Sequence, residues 1–561
     1  MLQYTKEKSK KFKQQNFGKN ILKSLLFNII GILIFGFLQN IFIPKRFPYD
    51  KSNDAGKLKY YYNESQDNID VLILGTSHSS RGILPMEMYE AFGIKSYNLS
   101  TSVQPIEASY FTLLEAIKNH IPKVVILDAS NLYINDEDSS RWKTALDEMK
   151  IGKNKKDLAK EYLKIYTETG ESIYELLFPL LGYHSRWKEL SKQDINFYNT
   201  NKISIGKGGM ISTGIWGAVS VDEMNSIAVQ LLQNKELITY EYNMNSYSER
   251  LEENIIYSTD ISDINLEWLL KIKNLCDIYG IQLVMVKVPC VYSPQSYNSA
   301  WTIQKYQMVY NLCDKYGITY YDLLYDINLQ FDSSKDSPDG GMHLNYYGAQ
   351  KVSMNLGNYL KEHYELSFEN DEQWDKDLVH YQKIRNVVLL ELEQDFNTYI
   401  SKLIDQCKDY YIFIAASDDM SCGLNENDIN SLKTLGLRMD FSNTLQKSYI
   451  AVIENGKVIY ESLSNRTLNY TGRCNKSGKT YELYSSGWWT NPSSSINLNG
   501  LEFGVNCKGL NIVVYDDERE LVLDSVGFDT CAEYHISIRN NEMINWLEQE
   551  FERYIMEIEA R

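Results

Sequence analysis

The stretch Asp70-Val71-Leu72-Ile73-Leu74-Gly75-Thr76-Ser77-His78-Ser79-Ser80 decides how the rest of the chain is interpreted. Its first half is a short apolar run of the kind that forms a buried β-strand, and its second half is a turn rich in Ser. In α/β proteins, ligands bind beyond the carboxyl ends of the strands. Ser77 is therefore our candidate nucleophile, although a lone Ser after a strand is also a common helix N-cap.

Further apolar runs of strand length occur on both sides of a long interruption. They lie at 96–99, 123–128, 282–289 and 318–322, with helical patterns at 85–92, 105–119, 264–279, 300–316 and 346–362. Strands that alternate with helices predict a parallel sheet with helices on both faces, so we expect an α/β fold. The interruption, 135–258, predicts a helical insertion or lid. Its Gly-rich piece at 206–209 lacks the spacing of a phosphate loop, and we interpret it as a plain loop.

A chain of 561 residues exceeds one ordinary core and predicts two folded domains. The second domain shows short strands around an Asn455-Gly456 turn, which predicts a compact α+β fold. We divide the chain into a basic cytoplasmic tail at 1–23, a transmembrane anchor at 24–43, a linker at 44–66, the α/β domain at 67–365, a linker at 366–384, the second domain at 385–540 and a C-terminal helix at 541–561.

The N-terminus combines basic residues with a long apolar run. Residues 1 to 23 carry seven Lys and one Glu, and the stretch from Ser24 to Ile43 is almost wholly apolar. Such a run can cross a bilayer, and the basic flank places the N-terminus in the cytoplasm. We predict a single-pass anchor in the cell membrane with the chain from about Pro44 outside. A cleaved signal peptide is the alternative, although no small-residue cleavage site follows Ile43.

Charge and cysteine content narrow the class of partner. The whole chain has a net charge of −17 at pH 7, and because residues 1 to 23 contribute +6, the chain after them carries −23. Such an acidic chain argues against nucleic acid as a partner. All eight Cys lie at or after Cys276 without a CxxC pair, which favours buried free thiols, with one or two bridges in the second domain as the alternative. The seven His show no metal-binding spacing, and we predict no metal and no other cofactor.

A serine nucleophile needs an adjacent base, usually a His held by a carboxylate. His343 lies in a loop just before the last predicted helix of the α/β domain, which brings it back to the sheet edge that carries Ser77. A lone His before a helix is more often structural, but the pairing of two strand-end loops favours catalysis. Lys287 also lies near a strand end at this edge, although such a Lys often extends into solvent.

These residues resemble the SGNH (GDSL-like) hydrolase superfamily. The similar motifs are Gly75-Thr76-Ser77-His78-Ser79, Asn98-Leu99-Ser100, Gln104-Pro105 and His343-Leu344-Asn345 with Gly348. With the anchor, they are closest to extracytoplasmic members from Gram-positive bacteria, a group that includes the D-alanyl-lipoteichoic acid biosynthesis protein D and polysaccharide O-acetylation proteins. The resemblance covers about residues 65 to 365 without the insertion and implies a three-layer fold around a parallel sheet.

The resemblance also implies roles for individual residues. Ser77 is expected to be the nucleophile, His343 the general base, and an Asp shortly before His343 the residue that orients it. The family places that Asp three residues before the His, where this chain has Gly340. We favour Asp339, with Asp336 as the alternative.

The expected oxyanion hole departs from the family pattern. The backbone N–H groups of Ser77 and Ser100 are our candidate donors, and no side chain is needed for that role. The Asn of the family's third motif is missing, and Ser130 or Asn131 stands in its place. We expect His78, Gln104 and Lys287 to contact substrate.

The second domain resembles the interleukin-like EMT inducer domain, which also occurs as a lectin-like stem of a glycosyltransferase. The similar segments are 448–460, 509–516 and 524–530. The resemblance implies sugar binding, and Trp488 and Trp489 form our candidate stacking surface. A packing or oligomerisation module is the alternative.

Together these features predict a membrane-anchored, extracytoplasmic serine acyltransferase or esterase. It would act on O-acyl groups, most simply O-acetyl, of a cell-surface polysaccharide through an acyl-Ser77 intermediate, with a membrane-bound O-acyltransferase as a partner. The alternative is a catalytically inactive glycan-binding or scaffolding protein of polysaccharide assembly, which the missing motif residues permit.

Overall fold

The computed structural model describes residues 2–44, 56–64, 69–134, 139–190, 194, 206–212, 261–290 and 300–539, apart from 325, 333–334, 340, 369–370, 444 and 533–534. The predicted C-terminal helix at 541–561 and much of the predicted insertion lie outside these residues.

The first folded unit is an α/β structure around a parallel sheet, as predicted. Its five strands run in the order β2-β1-β3-β4-β5, and all neighbours pair in parallel. The strands are β1 (Val71–Leu74), β2 (Ser96–Asn98), β3 (Val124–Asp128), β4 (Gln282–Lys287) and β5 (Thr319–Asp322). β1 and β3 are buried along their whole length, because helices cover both faces of the sheet.

The helices of this unit fall into two layers. One hydrophobic cluster includes buried side chains of α5 (Ile106–Ala116), α10 (Asp263–Tyr279) and α11 (Ala300–Tyr316). A second cluster, which contains Val71, Ile73, Val124 and Ile126, includes α4 (Pro85–Phe92) and α12 (Tyr346–His363). Since alternate residues of one strand enter different clusters, the sheet forms the middle of three layers.

The strand order reverses between β1 and β3. The chain goes from β1 to β2 on one side and then returns to β3 on the other side. In open parallel sheets such a reversal opens a crevice at the carboxyl ends of the two strands, where ligands bind. Ser77 follows β1 at this point and begins the short helix α3 (Ser77–Gly82).

The described part of the predicted insertion is helical and partly rejoins the sheet. Its helices are α6 (Ser139–Glu148), α7 (Lys153–Ile165), α8 (Ile173–Leu177) and α9 (Pro179–Gly182), followed by a 3₁₀ helix (His184–Lys188). Further on, the Asn98 N–H donates to the Lys207 carbonyl over 2.9 Å, and the Met210 N–H donates to the Ser80 carbonyl over 3.0 Å. The Gly-rich piece is therefore a packed turn beside β2.

The second unit is a curled sheet of ten strands. The strands are β6 (Tyr411–Asp418), β7 (Ser448–Glu454), β8 (Lys457–Ser464), β9 (Leu468–Arg473), β10 (Thr480–Gly487), β11 (Ser493–Leu498), β12 (Leu501–Glu502), β13 (Gly509–Asp516), β14 (Leu521–Asp529) and β15 (Ile536–Ile538). The helix α15 (Glu426–Thr434) lies between β6 and β7 in the chain. Cys422 and Cys531 form a disulfide and the other six cysteines are not disulfide-bonded, which agrees with the alternative of a bridge in this domain.

The predicted linker at 366–384 is largely helical. α13 (Glu372–Glu391) begins inside it, and a break at 392–395 separates α13 from α14 (Phe396–Gln406). α13 contacts both α4 of the first unit and β14 of the second. The sequence of α13 is mostly polar, so it did not indicate a packed helix. The helix packs through the buried Trp374 and Tyr381, and its Arg385 pairs with Glu87 of α4.

The N-terminal helix α1 (Leu2–Phe42) contains a segment that is long and apolar enough to span a membrane, Leu22–Phe42, with a mean hydropathy of 2.1. Another short helix, α2 (Lys57–Tyr61), follows within the predicted linker at 44–66. Most of α2 is buried, so this part of the chain packs against the α/β unit.

Candidate active site

The turn after β1 presents Ser77 at the crevice. Thr76 caps α3, with its hydroxyl accepting from the His78 N–H over 3.3 Å and donating to the Asp128 carboxylate over 2.7 Å. Gly75 lies so close to β3 that a Cβ there would meet the Asp128 Cβ at 2.4 Å. A glycine is therefore needed for this turn to approach β3 and hold Ser77 at the first position of α3.

Ser77 and His343, far apart in sequence, are hydrogen-bonded. The His343 Nε2 lies 2.9 Å from the Ser77 Oγ, and the His343 Nδ1 lies 2.6 Å from the Asp339 Oδ2. A carboxylate only accepts, so we assign the proton to Nδ1 and leave Nε2 to accept the Ser77 hydroxyl proton. This is the relation of nucleophile, base and orienting acid that acyl transfer requires.

The loop before α12 holds His343 and Asp339 in this relation. The other oxygen of Asp339 accepts the His343 backbone N–H over 2.8 Å, so ring and main chain are fixed by one carboxylate. Asn345 caps α12 by accepting from the N–H groups of Tyr347 and Gly348. Burial raises the pKa of Asp339, but hydrogen bonds from His343 and the charge of Arg81 outweigh it and hold this pKa below its usual value.

The alternative carboxylate, Asp336, does not contact His343. It accepts the Asp332 N–H over 2.7 Å and pairs with Lys351 over 2.7 Å, and it is almost fully buried. Asp336 thus fixes the loop to α12, which is a structural role.

The main-chain N–H groups of Ser100 and Ser130 and one N–H of the Asn131 amide are already used within the fold, whereas the Ser130 hydroxyl lies 3.1 Å from the His78 Nδ1. The Ser100 N–H donates to the Asn98 Oδ1 over 3.0 Å, and the Ser130 N–H donates to the Asp128 Oδ1 over 2.9 Å. The Asn131 amide donates to the Gln104 carbonyl over 2.6 Å. The Ser77 N–H is the first of α3 and has no acceptor within the helix, so it is the predicted donor that this geometry favours.

Gln104 does not face a ligand either. It is 1% exposed, its amide donates to the Ser109 hydroxyl, and its oxygen accepts from Thr101 over the same distance of 2.8 Å. The expectation that Gln104 contacts substrate is therefore replaced by a role in fixing the loop before α5.

His78 and Lys287 form the side of the crevice opposite Asp339. The His78 ring lies 5.5 Å from the His343 ring, and its Nδ1 is 3.1 Å from the Ser130 Oγ. Burial and the charge of Lys287 lower the pKa of His78 to about 3. The imidazole is therefore neutral at physiological pH and can exchange hydrogen bonds without adding charge.

Lys287 is buried rather than extended into solvent, which contradicts the structural alternative weighed from sequence. It is 1% exposed, and its Nζ lies 4.6 Å from the centroid of the Tyr306 ring. Burial lowers the pKa of Lys287, but the nearby Tyr306, Cys290 and Asp128 outweigh it and raise this pKa above its usual value. The charge of Lys287 acts on two neighbours, since it helps to lower the pKa of both His78 and Asp128.

The tryptophan pair lies in the second unit. Trp488 and Trp489 form a 3₁₀ helix after β10 and are 51% and 76% exposed. They make no described contact with the Ser77 group, so the structure does not bring them together with the triad.

Sequence reasoning missed two residues of this site. Asp128 ends β3 and joins the turn of Ser77 to that of Ser130, and Arg81 on α3 acts on Asp339. An Asp at the end of an apolar strand was a usable signal for the first. Arg81 had none, because its proximity to Asp339 depends on how α3 meets the loop before α12.

Comparison with known protein families finds no match for this chain, and comparison with curated proteins finds none either.

Proposed function

We propose that this protein is a membrane-anchored, extracytoplasmic serine acyltransferase or esterase of the SGNH type. The observation that carries the proposal is the chain of hydrogen bonds from the Ser77 hydroxyl through His343 to Asp339. It lies at the reversal point of a parallel sheet, with the nucleophile after the first strand and the base before the last helix, as in that superfamily.

The chemistry follows from these atoms. The Ser77 Oγ attacks an ester carbonyl while its proton passes to the His343 Nε2, and the resulting oxyanion meets the Ser77 N–H. The alcohol leaves with the proton from His343, which gives an acyl-Ser77 ester. An acceptor hydroxyl, from water or a sugar, then loses its proton to His343 and attacks the acyl carbonyl. The bond to the Ser77 Oγ breaks, and His343 returns the proton to that oxygen.

Two further observations support an extracytoplasmic location. The apolar segment Leu22–Phe42 follows a basic tail, and the disulfide Cys422–Cys531 belongs to an oxidising compartment. There, O-acyl groups of a cell-surface polysaccharide are the substrate class we infer, with O-acetyl as the simplest group and a membrane-bound O-acyltransferase as the donor's source. The exposed Trp488 and Trp489 are suited to stacking on sugar rings.

One observation favours a second function, a glycan-binding or scaffolding protein without catalysis. Since the N–H groups of Ser100 and Ser130 are used internally, the described residues offer the oxyanion one clear donor, the Ser77 N–H. Losing one hydrogen-bond donor of an oxyanion hole lowers the rate by about 10²- to 10³-fold. A hole with a single donor would therefore weaken hydrolysis even though the nucleophile is unchanged.

The test is covalent labelling of the purified full-length chain with a fluorophosphonate, together with turnover of p-nitrophenyl acetate. Ser77→Ala should abolish labelling and lower turnover by at least about a thousandfold, because the attacking oxygen is lost. Ser401→Ala, which changes an exposed serine on α14, is the matched control and should behave as wild type. Equal labelling and turnover in Ser77→Ala would exclude the enzyme and leave the binding function.

A further inference from the structure

A short part of the insertion wraps the outer end of the N-terminal helix. We call residues 173–188 the collar; it comprises α8, α9 and the 3₁₀ helix His184–Lys188. The Phe178 ring packs edge-on against Phe35 at 5.8 Å, and the Leu180 N–H donates to the Gln39 side chain over 2.6 Å. Arg186 donates to the Phe42 carbonyl over 2.7 Å. These contacts join α1 to the folded chain.

The exposed apolar surface of α1 ends where the collar begins. The large apolar side chains at Leu22, Leu25, Leu26, Phe27, Ile29, Ile30, Ile32, Leu33, Ile34 and Phe37 are 47% to 77% exposed. Beyond them, Ile41 and Ile43 are each 6% exposed. Protein therefore covers the last turn and a half of α1, while large apolar side chains between Leu22 and Phe37 stay exposed.

The bare length is too short for a bilayer. A helix rises about 1.5 Å per residue, so the 16 residues from Leu22 to Phe37 cover about 24 Å, while a hydrocarbon core is about 30 Å thick. Lys23 and the basic tail hold the inner end at the headgroups. The outer edge of the hydrocarbon core then falls near Phe42. Arg186, which contacts Phe42, lies at this edge, and Phe178, which contacts Phe35, lies on the hydrocarbon side of it.

The exposed side chains of the collar have the composition of a membrane interface. Tyr174 and Trp187 are each 64% exposed, Leu181 is 42% exposed, and the Lys188 Nζ lies 5.2 Å from the centroid of the Trp187 ring. Amphipathic aromatic side chains beside cations are favoured where acyl chains meet headgroups. Glu175 and Glu189 are the nearby acids of this segment, and Glu189 pairs with Arg186.

We propose that the collar is a membrane-docking element, with Tyr174, Leu181 and Trp187 seated among the lipids of the outer leaflet beside α1. The inference rests on the proposed anchoring by α1. Contacts from α8 to α6 and α7 and a Tyr183–Asp147 hydrogen bond of 2.8 Å connect the collar to the α/β unit. Docking would thus fix the height and orientation of the Ser77 crevice above the membrane.

The test uses the full-length chain in nanodiscs, one copy per disc, with phosphatidylcholine brominated at carbons 6 and 7 as a shallow quencher of tryptophan fluorescence. Trp187 is one of nine tryptophans. Trp187→Phe removes a quenched emitter and should lower the quenched fraction of the emission. Trp489→Phe, the matched control at another exposed tryptophan, removes an unquenched emitter and should raise it.

The two outcomes that oppose the proposal are distinct. If Trp187→Phe raises the quenched fraction as the control does, in a protein whose circular dichroism and melting temperature match wild type, Trp187 faces water or another protein and the docking proposal is wrong. If N-terminal sequencing shows that α1 has been removed, the proposed anchoring fails and the docking proposal with it. Fluorophosphonate labelling of Ser77 is independent of both results.

Discussion

At the scale of single residues, the site depends on which carboxylate meets His343. Asp339 and Asp336 are three residues apart and both precede His343, yet one accepts both donors of that histidine and the other pairs with Lys351. The loop geometry, rather than acidity or burial, separates their roles.

Asp339→Asn should lower kcat by about 10³- to 10⁴-fold, because an amide no longer fixes the tautomer or stabilises the imidazolium. Asp336→Asn is the matched variant. It should lower the melting temperature, since it weakens the buried pair with Lys351, but the folded enzyme should retain its kcat. The opposite ranking of the two kcat values, measured with p-nitrophenyl acetate, would move the orienting role to Asp336.

His78 gives the site a predictable dependence on pH. Its pKa is about 3 in the folded chain against 6.5 when unfolded, so the unfolded chain binds the proton between these values. The stability that a neutral His78 contributes is present above pH 6.5 and is lost as the pH falls towards 3.

Between pH 7 and pH 5, wild type should therefore lose about 2 kcal/mol more unfolding free energy than His78→Gln, which cannot be protonated. Urea unfolding at the two pH values measures this difference. Equal losses in the two proteins would show that His78 is protonated in the folded state.

At the scale of elements, the turns at the sheet edge position the site. The turn of Ser77 depends on Gly75, which contacts β3, and the neighbouring strand β2 is extended by the piece of the insertion at 206–212. A Cβ on Gly208 would meet the Asn98 carbonyl at 2.0 Å, and the φ of Gly208 is +77°. The Gly-rich piece is thus required for packing.

Gly208→Ala should destabilise the protein strongly, on the order of 3 kcal/mol or more, because a clash adds to left-handed strain. Gly170→Ala is the control. Its φ of +66° is similar, but nothing lies within 4 Å of the added carbon, so its cost should stay near 1 to 2 kcal/mol. Thermal unfolding compares them, and equal costs would show that 206–212 does not pack against β2.

At the scale of the whole molecule, a buried ion cluster joins three distant segments. The Lys207 Nζ lies 2.9 Å from Glu64 and 2.6 Å from Asp377, and all three side chains are almost fully buried. Burial lowers the pKa of Lys207, but the two carboxylates outweigh it and raise this pKa. The cluster connects the segment after α2, the insertion and the helix α13.

Lys207→Met should cost about 3 to 5 kcal/mol of unfolding free energy, because it leaves two buried carboxylates without a cation. Lys376→Met, on the exposed face of α13 where Lys376 pairs with Glu372, is the control and should leave the denaturant midpoint unchanged. A similar small effect of both substitutions would show that the buried cluster does not hold the segments together.

The sequence by itself determined the features that repeat locally. The apolar runs around Val71–Leu74 and Val124–Asp128 indicated a parallel sheet. The apolar segment Leu22–Phe42 indicated a helix of membrane-spanning length. Both could be predicted because strand and helix periodicity depend on side chains that are near in sequence. Ser77 and His343 were also found in this way, since each follows or precedes a recognisable element.

Only the tertiary structure decided which side chains meet. In the structure His343 contacts Asp339 rather than Asp336. The N–H groups of Ser100 and Ser130 form hydrogen bonds within the fold, and most of the predicted polar linker is the packed helix α13. Hydrogen-bond partners and burial depend on how loops and layers come together across hundreds of residues. Composition and spacing record none of that geometry, so the triad's neighbours and the collar beside α1 became visible only in three dimensions.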